Sequence, residues 1–116
     1  MKSVEELDVF KLSHQMVLTI YKITKKYPEE EKFGLVAQMR RAAYSIPMNL
    51  AEGANRLNKK EYRQFAGIAK GSAGEMQYQL LLAKDLGYID LATYSKLHSE
   101  YERIGQMLSG LSKALG

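Results

Sequence analysis

Apolar residues recur at helical spacing in four stretches of this chain and at strand spacing in none, which leaves an all-α fold. The first stretch runs from Val9 to Tyr27, with Val9, Leu12, Met16, Ile20, Ile23 and Tyr27 on one stripe. Pro28 ends it, because the residue before a proline avoids the α region. The acidic run Glu29-Glu30-Glu31 makes the turn. The second runs from Phe33 to Ala54 on a stripe of Leu35, Met39, Ala42, Ile46, Leu50 and Gly53. The third opens at Asn58, an N-cap with Glu61 three residues on as in a capping box, and closes at Leu86 before Gly87 as C′ residue. Its stripe is Tyr62, Phe65, Ala69, Ser72, Met76, Gln79, Ala83 and Leu86. The fourth starts at Asp90 and carries a strict heptad stripe of Tyr94, Leu97, Tyr101, Ile104, Leu108, Leu111 and Leu115. Short connections between four such helices predict one antiparallel up-down-up-down four-helix bundle over residues 1–116.

Within the second helix the sequence keeps a proline, Pro47, and the stripe holds its phase across it. The expectation is therefore a continuous helix with a kink, at a cost of roughly 3 kcal/mol for interior proline. Ser45, Asn49 and Glu52 are candidates to satisfy backbone groups freed by the bend, and Gly53 to let a neighbour approach. The motif reads as a packing device rather than an active site.

The outer face of the third helix should be polar. It reads Gly67, Gly71, Gly74, Tyr78 and Leu81 instead. Each interior glycine costs about 0.5–1 kcal/mol relative to alanine, so three on one face point to another backbone close by. A bundle supplies one core, and a helix apolar on two sides needs two partners. This row is the expected oligomer interface.

The formal net charge is +4 and is unevenly spread. Residues 22–70 hold eleven Lys and Arg against five Glu, whereas both flanking segments are slightly acidic. Arg40, Arg41, Arg56, Lys59, Lys60, Arg63 and Lys70 carry that excess and are the candidate phosphate-binding residues. No sequence-reading module accompanies them, so the expected binding to RNA or DNA is electrostatic and salt-dependent.

Enzyme chemistry finds little support. With no cysteine, disulfides, thiolate metal sites and cysteine nucleophiles are excluded. The two histidines, His14 and His98, lie on different helices and outside any Glu-x-x-His or His-x-x-x-His pattern, so neither a metal nor a cofactor is expected. Ala69-Lys70-Gly71-Ser72 lacks Walker spacing. Glu52 and Glu75 are the one carboxylate pair that could meet, and flanking small residues make caps or ion pairs the better reading. No secretory signal or membrane-spanning run is evident, so a cytoplasmic location is the expectation.

Arg40-Arg41-Ala42, Ser45-Ile46-Pro47 and Asn49-Leu50-Ala51-Glu52-Gly53, followed by Lys60-Glu61-Tyr62, Ala69-x-Gly71-Ser72-x-x-Glu75 and Leu86-Gly87-Tyr88, carry a resemblance over nearly the whole chain. They resemble the small four-helix-bundle proteins encoded in intervening sequences of bacterial 23S rRNA genes. That family is similar to the accessory protein of diversity-generating retroelements, a basic pentameric barrel that associates with a reverse transcriptase and nucleic acid. The resemblance implies a homopentamer, nucleic-acid binding or protein scaffolding, and no enzymatic activity. Val9-Phe10-Lys11 stands where the family commonly has Trp. The alternative function is a protein–protein scaffold or accessory subunit of a reverse-transcriptase-like partner, without direct nucleic-acid binding.

Overall fold

The computed structural model describes residues 3–116 of the chain. Four helices follow in order: α1 Asp8–Thr24, α2 Leu35–Ala54, α3 Lys59–Asp85 and α4 Leu91–Leu115, with 3₁₀ turns at Val4–Glu6 and Glu29–Glu31. Each packs antiparallel on its neighbour in the chain, and α1 meets α4 along the thinnest seam. The bundle measures 43 × 24 × 20 Å.

The expected cap at Asn58 forms, and Asp90 adds a second at the start of α4. Asn58 Oδ1 accepts from the Glu61 amide at 2.9 Å and Asp90 Oδ1 from the Thr93 amide at 2.7 Å. Hydrogen bonding from Thr93, its side chain first and its amide second, holds the Asp90 carboxyl below its ordinary pKa. At the end of α3 the Tyr88 amide donates to Ala83 O and the Gly87 amide to Lys84 O. This is the Schellman arrangement, and it needs a residue at positive φ: Gly87 sits at 81°. The α2 start has only Gly34 at its cap, so Glu31 Oε1 accepts from the Leu35 amide instead, at 3.2 Å. The same carboxylate accepts from Tyr88 Oη at 2.8 Å, tying the two loops at this end together.

The core follows the stripes, with Ile20, Met39, Ile46, Leu50, Met76, Leu80, Tyr101, Ile104 and Leu108 fully buried. Burial of each large aliphatic chain contributes on the order of 2 kcal/mol. Three expectations shift. Helix α1 stops at Thr24, although Tyr27 stays buried. Helix α2 starts at Leu35, which leaves Phe33 88% exposed. Leu86 leaves the core stripe, because as C-cap it lies beyond the last turn. Tyr88 takes its place, its ring 5.1 Å from that of Tyr27.

Helix α2 runs unbroken through the buried Pro47. The polar residues around it act differently from expectation. Ser45 Oγ lies 2.9 Å from Ser72 Oγ, joining α2 to α3 rather than capping a carbonyl of its own helix. Asn49 Nδ2 donates to Ser45 O at 2.7 Å and to Ser45 Oγ at 2.9 Å, so it buttresses that link. The carbonyl that proline leaves without an amide is that of Ala43, and none of these side chains reaches it. Glu52 takes no part and pairs with Arg56. Gly53 matches its expected role: a Cβ there would stand 2.8 Å from Phe65 Cβ and 2.9 Å from Tyr62 Cδ1.

Two buried polar atoms have no partner among the described residues, Tyr101 Oη and Gln79 Oε1. Burial pushes the Tyr101 phenol well above its ordinary pKa of 10.0. The Tyr27 phenol, buried beside Tyr88 and donating to Met39 Sδ, is pushed up to about 12. Tyr62 is raised by burial and Tyr88 by its bond to Glu31. A phenol whose folded-state pKa is raised supports the fold fully below the unfolded value, near 10, and less as pH climbs through the folded one. Stability is therefore expected to hold up to about pH 10 and to fall between there and about pH 12. The chain has no Trp or Cys to mask tyrosinate absorbance. A late phase in that absorbance should coincide with loss of helical circular dichroism. Ionisation of Tyr27 and Tyr101 at the free-phenol value with the helices intact would contradict the packing described.

Candidate nucleic-acid interface and the outer face of α3

The seven candidate cations do not form one patch. Arg40 and Arg41 are neighbours in sequence, and helical geometry turns them about 100° apart. Arg40 leans toward α1, where Nε donates to Thr24 Oγ1 at 3.0 Å, Nη2 donates to Tyr21 O at 3.3 Å, and the guanidinium lies 4.5 Å from the centre of the Tyr21 ring. Its charge is held in a structural clamp. Arg41 faces solvent on the other flank of α2.

At the α2–α3 end of the bundle the structure brings Arg56, Lys59, Lys60 and Arg63 together. Arg56 is partly neutralised: Nη2 donates to Glu52 Oε1 at 3.0 Å and the guanidinium stacks 4.8 Å from the Phe65 ring centre. Lys59, Lys60 and Arg63 are exposed and form no ion pair among the described residues. Spacings of four and seven put Lys59, Arg63 and Lys70 on one face of α3, spanning about 16 Å of its axis. The Ser45–Ser72 contact sets Arg41 level with the turn after Ser72, about 25 Å from Lys59 along that axis. The exposed cations without an ion pair at this end are thus Lys59, Lys60, Arg63 and Lys70, with Arg56 beside them.

The glycine row stands where the sequence places it. Gly67, Gly71 and Gly74 are exposed, and a Cβ on any of them would meet nothing within 4 Å. Tyr78 is 62% exposed, and Leu81 also reaches solvent. The structure adds residues that the sequence reading passed over. Ile68 is 53% and Met48 52% exposed, and Tyr44 is exposed too. One turn from the Ser45–Ser72 contact, the antiparallel register sets Met48 alongside Ile68. The result is an outward apolar strip across α2 and α3. Tyr44 and Met48 at four-residue spacing, opposite the Ile46/Leu50 stripe, were the signal that could have revealed it.

Chemistry-bearing groups do not converge. Glu52 engages Arg56, and Glu75 accepts from Gln79 Nε2 at 3.3 Å, so each carboxylate serves its own helix. His14 stacks on Phe10 in α1 and His98 lies against Tyr94 in α4. Among the described residues no cluster of His, Asp and Glu could hold a metal, and no helix is long and apolar enough to cross a membrane.

A four-helix bundle with a basic end and an apolar outer strip is the class of protein that fold and surface define. The family model described as 23S rRNA-intervening sequence protein matches residues 5–110, and the chain belongs to that family. Among solved structures it is similar to a protein of unknown function from the S23 ribosomal protein family of Bacteroides thetaiotaomicron. The two share 24% identity at a TM-score of 0.81, over 90% of this chain and 98% of that one, a likeness of fold. No curated protein matches.

Proposed function

We propose that this chain is a non-catalytic module that assembles through the outer face of α2 and α3 and binds RNA or DNA electrostatically at its basic end. The observation that carries the reading is the group Lys59, Lys60, Arg63 and Lys70, exposed and free of ion pairs among the described residues. Unpaired cations along one helix release counterions from a phosphate backbone, which drives binding without base contacts. A name tied to 23S rRNA genes fits this chemistry, and the family resemblance supplies the expectation of five copies. Sub-micromolar binding to structured rRNA and duplex DNA at low salt, by fluorescence anisotropy, tests it.

The apolar strip supports the assembly. Three interior glycines with nothing over them inside the chain cost the lone bundle helix stability and expose backbone to a close neighbour. Replacing Gly71 by glutamine is expected to leave the bundle intact, since a Cβ there meets nothing within 4 Å and the position is exposed. It is expected to convert an assembly to single chains in light scattering, with unchanged circular dichroism. Equal masses for both proteins would remove this face from the interface.

A further inference from the structure

The structure points to a second binding site: we propose that the cavity at the basic end of the bundle docks an acidic segment of another protein through one large apolar side chain. The cavity has a volume of about 760 Å³. Segments far apart in sequence build it, with Val4 and Leu7 before α1, Tyr62 on α3 and Leu111 on α4 forming an apolar floor. At its edge stands Leu57, on the α2–α3 connection, with 100% of its surface exposed. A leucine wholly in water beside an apolar hole gains burial as soon as a partner side chain enters.

Charge decides the occupant. Arg56 and Lys59 line the cavity, and Lys60 and Arg63 follow within a turn of α3. The amides of Lys59 and Lys60 open α3 and add its positive end, since Asn58 caps only Glu61. Glu52 is committed to Arg56. Glu5 and Glu6 follow Val4 in the 3₁₀ turn but do not line the cavity. Two copies of this chain meeting end to end would oppose their cations, which disfavours self-docking. The floor offers mostly aliphatic chains, which fit a Leu or Phe side chain better than a base that needs aromatic faces to stack on. An acidic peptide with an apolar anchor meets both demands, and the proposal goes beyond the nucleic-acid reading above.

The test uses the whole protein and a short fluorescein-labelled peptide bearing a leucine–phenylalanine pair between glutamates. The peptide is expected to bind, and to lose about tenfold in affinity or more on the Leu57→Ser variant. A control peptide with serines in place of the apolar pair is expected to bind equally weakly to both proteins. Because Leu57 touches solvent only, the variant folds as the parent does, and its binding to duplex DNA stays unchanged. No binding of the peptide, or equal binding of peptide and serine control, overturns the proposal. Loss of DNA binding in Leu57→Ser would overturn it too, and give the cavity to nucleic acid.

Discussion

Replacing Gly53 by alanine is expected to destabilise the bundle by about 2 kcal/mol, against the usual trend for a helix interior. Alanine normally gains about 0.5–1 kcal/mol there. At this position the new methyl would stand 2.8 Å from Phe65 Cβ, 2.9 Å from Tyr62 Cδ1 and 3.3 Å from Tyr62 O. A Cβ and a carbonyl are fixed to the backbone and cannot swing aside, so α2 and α3 must part. Their separation would strain the Ser45–Ser72 link and the stacking of Arg56 on Phe65. For a domain of this size the thermal midpoint should fall by about 10 °C. Gly110→Ala is the control, because a Cβ at Gly110 meets nothing within 4 Å and propensity alone should raise stability. Thermal unfolding followed by circular dichroism reads both, and a Gly53→Ala midpoint at or above the parent's would refute the close approach of α2 and α3.

Reversing Lys59, Lys60, Arg63 and Lys70 to glutamate together is expected to weaken nucleic-acid binding by about a hundredfold or more at low salt. The fold should tolerate the change. All four are exposed and unpaired among the described residues, and acidic residues in the first turn of α3 suit its positive end. Arg40→Glu should behave differently: it breaks the clamp to Thr24 and Tyr21, and its effect should appear as lost stability. The two variants separate a binding cation from a structural one. A quadruple variant that retains full affinity would refute the proposed interface.

The helices were legible because their signals are local. Periodicity, the Asn58 cap and the Gly87 stop lie within a few residues of what they determine. Where the surroundings of a residue differ from expectation, they depend on rotation about a helix or on distant segments. Arg40 and Arg41 look like one cluster until the turn between them sends each to a different neighbour. Gly53 and Gly71, by contrast, keep the faces their stripes assign, one against Phe65 and the other toward solvent. Ser45 reads as a helix-bending hydroxyl, but its partner is 27 residues away. The cavity beside Leu57 has no local sequence signal, because Val4, Tyr62 and Leu111 meet only in the folded bundle.

The most direct test of the proposed function is the salt dependence of binding to a structured rRNA fragment, by fluorescence anisotropy from low to near-physiological salt. With Lys59, Lys60, Arg63 and Lys70 as the contacts, the logarithm of the association constant should fall linearly with that of salt, with a slope of about −3 per chain. The charge-reversed protein should show no measurable binding over the same range. Absence of binding by the parent protein at low salt, or binding indifferent to salt, would contradict an electrostatic nucleic-acid module.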